Sequence, residues 1–376
     1  GTAKGRWLRQ LAVTAPAFVS AGNCTTDPLV AASVLGTACT LGTCTLASAS
    51  SDTTDMFTYK AVPLYAQLFT VEYHRTYKVV RNVMVNETYV LYQCGTGAPS
   101  GAPAGKAFEV PLEATAVSDT TVLRFLELLG VQPSLQFMQA EYVTSSCLLS
   151  LAQTGEVSEL QTSYGNAVVA AAQAAAVDGL FGSYASSTAN GIAVTATSEA
   201  SLLAQAEWIK FISLFFNQEQ AANTIFEGIQ ERYLCRRQAA LEAMGSQTKP
   251  KVAVTYVKTW VNPPTYVLAA GSLKLNMVRD AGAELVSGTT ELEYASAAAL
   301  LTRLQGVDIL IDTTYSSTEY TWAEFLSQYN LTASSSLKFV QNQQVWRLDG
   351  LMNTGFSLDW FAGAVAEADV VLADMV

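Results

Sequence analysis

The chain holds a single histidine, His74, among its 376 residues. That scarcity removes Ser-His and Cys-His nucleophile pairs and multi-histidine metal sites together, since each needs an imidazole set beside other reactive groups. No CxxC pair is present, so metal-finger spacing is missing as well. The HExxH, GxSxG and P-loop patterns do not occur. Charge is also scarce: 14% of residues are charged and 50% hydrophobic, a composition that supports a large core and excludes a disordered chain. Basic residues number 21 against 32 acidic ones, for a net charge of −11. That balance argues against nucleic acid and anionic membrane surfaces as partners. The most apolar run, 167–177, is Ala-rich, broken by Gln173 and too short to span a bilayer.

What is there points outside the cell. Six cysteines, Cys24, Cys39, Cys44, Cys94, Cys147 and Cys235, form an even set. Three N-x-S/T triplets place candidate glycosylation sites at Asn23, Asn86 and Asn330. Together these features favour a secreted, disulfide-bonded, glycosylated eukaryotic protein. Six cysteines allow about 15 connectivities. The preferred pairing joins Cys94 to Cys147 and leaves Cys24, Cys39, Cys44 and Cys235 to staple the N-terminal segment. No signal peptide is visible at Gly1, so the chain reads as already processed, secreted or held at the cell surface, with any membrane anchor outside residues 1–376.

The organising stretch is 217–244. Asn217 with Gln220 forms a capping-box pattern, and Ile225, Phe226, Ile229, Tyr233, Leu234, Leu241 and Met244 recur at helical spacing up to a stop at Gly245. At 1.5 Å per residue such a helix spans roughly 40 Å, which suits a connector between two domains. Before it, strands expected at 77–81, 88–94 and 176–181 alternate with helices at 118–129, 147–152 and 198–216. After it the pattern restarts, with strands at 251–256, 307–312 and 345–348 and helices at 273–281, 295–304, 321–328 and 359–375. The expected fold is α/β: two Rossmann-like lobes joined by one long α-helix, with a ligand cleft between them. The division is a Cys-bearing N-terminal extension at 1–69 packed on the first lobe, the first lobe at 70–216, the connector at 217–245 and the second lobe at 246–376.

No residue set offers catalysis, and the protein is expected not to be an enzyme. His74 reads as an ordinary surface or hydrogen-bonded histidine. The Gly-rich run from Gly95 to Gly101 has the wrong spacing for a dinucleotide loop, but Gly95 and Thr96 lie at a strand's carboxyl end, where α/β proteins bind ligands. Aromatic residues gather at expected strand exits. Tyr142, Phe181 and Tyr184 do so in the first lobe, and Trp260, Tyr315, Trp322 and Phe356 in the second. Aromatics often just pack loops onto sheets; facing one another, they would wall an apolar cleft.

These stretches resemble a known family. Residues 108–112 through 126–130, 206–212, 307–312 and the ending 359–374 are similar to the class III, helical-backbone solute-binding proteins that include bacterial vitamin B12 and ferric-siderophore binders. The likeness covers about residues 70–376. With the sequons and cysteines, the chain resembles a eukaryotic branch, the algal cobalamin acquisition proteins. The resemblance implies a Trp-x-Glu pair in corrinoid binding, matched by Trp322 and Glu324, and a first-lobe aromatic, matched by Phe181 or Tyr184. It implies a monomer with no bound cofactor that carries cobalamin to a membrane uptake partner. A ferric siderophore is the alternative ligand, and a non-binding interaction protein is the alternative class. Scarce Lys and Arg near the loops, Lys258 and Lys274 apart, tilt the choice toward cobalamin.

Overall fold

The computed structural model describes residues 6–19, 55–184 and 188–376. Its longest helix is Glu219–Met244, ending at Gly245 in a left-handed turn. The expected capping box does not form: Gln218 is the N-cap, with no side-chain hydrogen bond. Asn217 instead takes a left-handed backbone. Its side chain accepts a hydrogen bond from the buried Lys78 ammonium at 2.8 Å and donates one to Gln93 at 3.0 Å. Tertiary partners outweighed the local signal. Of the expected stripe, Phe226, Ile229 and Tyr233 are buried, joined by Ala222 and Ala240; Ile225, Leu241 and Met244 are half-buried and Leu234 is exposed.

On one side of this spine a five-stranded parallel sheet runs in the order Gly191–Ala193, Gly179–Gly182, Thr115–Val117, Leu135–Met138, Ser158–Glu159. Its buried face meets Phe215 and Phe216, which follow the fully buried helix Trp208–Leu214. A second, four-stranded sheet carries the expected hairpin, Tyr77–Asn82 against Glu87–Gln93. On the other side of the spine, Lys251–Lys258, Ile309–Asp312 and Val345–Arg347 lie parallel, and the hairpin strand Thr265–Ala269 lies antiparallel to the first. Among the described residues five helix N-termini carry Ser or Thr caps of the ordinary kind, including a full capping box at Trp322–Gln328.

The N-terminal extension was expected on the first lobe. Its described parts divide. Residues 55–68 do lie on the first lobe, held by two buried carboxylates: Glu207 accepts from the backbone of Leu64, Tyr65 and Ala66, and Glu199 from Gln67 and Leu68. Residues 6–19 join the second lobe instead. Arg9–Gln10 pairs with Val345–Arg347, and Ala17–Val19 pairs in parallel with Leu351–Asn353. Gly350 makes the approach possible, because a Cβ there would stand 2.8 Å from the Trp7 carbonyl oxygen.

Cys94 and Cys147 are both disulfide-bonded. Cys235 is free and exposed on the spine, so it does not tie the spine to the N-terminal segment as expected. Cys24, Cys39 and Cys44 lie outside the described residues, as does Asn23; Asn86 and Asn330 are exposed.

Candidate functional site

A cavity of about 580 Å³ lies between the lobes at the carboxyl ends of their parallel strands. Its first-lobe wall is Ser118, Asp119, Thr120 and Thr121, after strand Thr115–Val117, and Gln139, Glu141 and Tyr142, after Leu135–Met138. Its second-lobe wall is Thr313, Thr314, Tyr315, Ser316 and Thr318, after Ile309–Asp312, followed by Leu348, Asp349 and the loop from Met352 to Phe361. Strand ends at such a crevice present free backbone groups and variable loops, which is why ligands bind there in open α/β sheets.

The first wall is polar and locally braced. Asp119 accepts hydrogen bonds from Thr121 N and Oγ1 and from the Ser183 hydroxyl, and Ser118 Oγ donates to the Phe181 carbonyl. The second wall rests on buried charge. Arg347 donates to Asp349 Oδ2 at 2.8 Å and to the Thr314 carbonyl at 2.9 Å, and its Nη1 lies 3.4 Å from Asp312 Oδ2. Arg9, from the N-terminal strand, makes a two-pronged contact with Asp349, both prongs 2.8 Å. Burial opposes ionisation of Asp349, but the hydrogen bond from Arg9 and the charges of Arg347 and Arg9 outweigh it and hold the carboxyl below its ordinary range. Burial, then the Asp312 charge, pushes the Tyr320 phenol well above its usual value. The Arg347 guanidinium stacks 3.9 Å over that ring. Among the described residues, Asp312 Oδ2 and the Tyr320 hydroxyl have no hydrogen-bond partner.

The lobes are also fastened to each other beside the cavity. Asn353 Nδ2 donates across the junction to the carbonyls of Glu141 at 2.8 Å and Val143 at 3.0 Å. Thr144 Oγ1 donates to Asp359 at 2.7 Å.

Of the residues expected from sequence, Tyr142, Tyr315 and Phe356 line this cavity. The others lie elsewhere. Phe181 is fully buried, its ring 5.7 Å from Phe215 and stacked on Phe216. Tyr184 and Trp260 are exposed away from the lining, and Gly95 and Thr96 sit in an exposed turn closed by Gln93 and Glu109. Trp322 packs on the second-lobe core against Phe325. Glu324 is the capping residue of that helix, accepting from Thr321 N at 2.6 Å. Helix initiation therefore accounts for Glu324, and packing on Phe325 for Trp322. Asn353 uses its side chain in the interlobe contacts. Lys258 pairs with Glu293, away from the lining, which Lys274 does not reach either. The cavity adds residues that spacing did not mark. Thr314 stood at a foreseen strand exit, but Arg347, Asp349 and Phe361 gave no sequence signal. Among the described residues no cluster of His, Cys, Asp and Glu could hold a metal ion, and no helix is long and apolar enough to cross a membrane.

No family model matches this chain, and no curated protein matches it. Solved structures do. The periplasmic heme-binding protein HutB of Vibrio cholerae aligns over 70% of this chain and 98% of its own, at 14% identity and a TM-score of 0.51. The petrobactin-binding protein YclQ of Bacillus subtilis aligns over 70% and 92%, at 13% identity and 0.51. A possible iron-binding, periplasmic solute-binding protein of Staphylococcus epidermidis aligns over 70% and 97%, at 13% and 0.50. At these identities the likeness is one of fold: the chain has the two-lobe, helical-backbone architecture of the class III solute-binding proteins.

Proposed function

We propose that this chain is a non-enzymatic, extracellular capture protein that holds one bulky ligand between its lobes for delivery to a membrane uptake partner. The supporting observation is the interlobe cavity itself: it is open, and both walls offer exposed rings, Tyr142 from one lobe and Tyr315 and Phe361 from the other. An interaction protein that had lost ligand binding would have this space filled by its own side chains. Its volume lies in the range of small-molecule sites, roughly 300–1,000 Å³. A whole corrinoid exceeds it, so the ligand projects from the mouth or the lobes part slightly around the spine.

Cobalamin is the ligand we put first. Among the described lining residues Arg347 alone is basic, and it is already engaged by Asp312 and Asp349; Asp119 and Glu141 add further negative charge. An anionic chelate finds no free cation here, whereas a neutral corrinoid could donate from its side-chain amides to the hydroxyl oxygens of Ser118, Thr121, Thr313 and Ser316, whose protons are used within the protein. A ferric siderophore is the second reading, and the same lining favours a neutral hydroxamate within that class. Isothermal titration with cyanocobalamin and with ferrichrome separates them. Saturable heat with cyanocobalamin supports the first reading, heat with ferrichrome alone the second, and silence with both removes ligand capture.

A further inference from the structure

We propose that the N-terminal strand Ala17–Val19 is a working part of the ligand site, and that Phe18 and Phe356 together form an apolar corner for the edge and face of a rigid, ring-shaped ligand. This rests on the capture reading above. The pairing with Leu351–Asn353 sets Phe18 opposite Met352. Neighbouring residues in paired strands project from the same face of a sheet. Met352 lines the cavity; Phe18 is outside the lining itself and stands beside it, exposed. Its ring meets that of Phe356, also in the lining, at 6.0 Å and 84°. Edge-to-face contact is a favoured aromatic geometry, and it leaves two flat surfaces at right angles.

Phe356 itself is held in an unusual way. Its φ is 64°, a left-handed backbone that residues with bulky side chains seldom adopt. Asn353 imposes it, accepting hydrogen bonds from Gly355 N at 2.9 Å and Ser357 N at 3.0 Å while its amide donates to the first lobe. Strain maintained by surrounding contacts is characteristic of residues positioned for a ligand. Phe18 is 48% exposed, more than core packing needs. The chain leading into its strand is tethered. Trp7 N and Nε1 donate to Asp374 at 2.6 Å and Asp359 at 2.7 Å, and Ala17 N donates to the Gly350 carbonyl at 2.9 Å. A rigid macrocycle meets such a corner with little ordering cost, while a flexible chain gains less from it.

The test is the full-length protein with Phe18→Ala and Phe18→Leu, read by stopped-flow binding of cyanocobalamin, or of ferrichrome if that is the ligand captured, with the melting temperature of each variant. The expected result for Phe18→Ala is a roughly tenfold weaker Kd, carried by faster dissociation. The melting temperature should stay at the unmodified value, and Phe18→Leu should recover most of the affinity. A double substitution with Phe356→Ala should cost less than the product of the single changes. Unchanged affinity in Phe18→Ala overturns the corner while leaving capture intact, and so does an affinity loss that only follows a falling melting temperature. Failure of the unmodified protein to bind either ligand overturns capture, and the corner with it.

Discussion

The first-lobe wall of the cleft is backed by rings: Phe181 lies against Phe215 and Phe216, and Phe211 against Phe69, Trp208, Tyr89 and Phe215. The second-lobe wall is backed by ions: Arg347, Asp312, Asp349 and Arg9, each nearly closed to water. Apolar burial is non-directional and indifferent to pH, so the first wall tolerates small shifts. A buried ion cluster depends on every member, since removing one leaves an uncompensated charge. The contrast extends to sequence distance. The first wall is assembled from one continuous region, whereas the second leans on Arg9 from the opposite end of the chain. The wall that needs the N-terminal segment also carries three of the four rings in the lining, Tyr315, Phe356 and Phe361.

Breaking the ion cluster should have the largest effect. Asp349→Ala leaves Arg9 and Arg347 short of their shared acceptor and should cost about 3–5 kcal/mol of stability in urea unfolding. The pH dependence follows the same residue. Its folded pKa is depressed below the ordinary carboxyl value of 3.8, so its contribution is full above that value and is lost as pH falls through the lower folded one. Acid should therefore loosen the second wall, read as a melting temperature that falls below about pH 3.8, and Asp349→Asn should blunt that fall. In the first lobe, Leu126→Ala should cost about 2–5 kcal/mol with no added pH dependence, and a pH-sensitive loss there would erase the contrast. Tyr315→Ala should weaken ligand binding several-fold, consistent with about 0.5–1.5 kcal/mol for a well-placed ring, at unchanged melting temperature. Glu324→Ala should remove about 1 kcal/mol of stability through its helix cap and leave ligand affinity alone. A loss of affinity in that variant would return the Trp-x-Glu pair to the site.

The same contrast governs how far the sequence could be read. The spine, the alternation of strands and helices on each side and the strand exit at Thr314 and Tyr315 were legible, because periodicity and end signals are local. The capping box at Asn217 was not formed, because Lys78 and Gln93, far away in sequence, offered its side chain better partners. Phe181 and Trp322 look the same in sequence as Tyr315, yet two of them became core and one became cleft wall. Which face of a loop an aromatic takes is decided by packing that spacing does not encode. Arg9, Arg347 and Asp349 were invisible for a related reason: separated by most of the chain, they acquire meaning only when the N-terminal strand pairs with Val345–Arg347.

The most direct measurement is hydrogen exchange of the unmodified protein with and without saturating cyanocobalamin or ferrichrome. Capture between the lobes predicts new protection at 118–121 and 139–142 on one wall and at 313–318 and 352–361 on the other, with the spine Glu219–Met244 unchanged. Protection confined to one lobe, or lying outside the cleft, would contradict it.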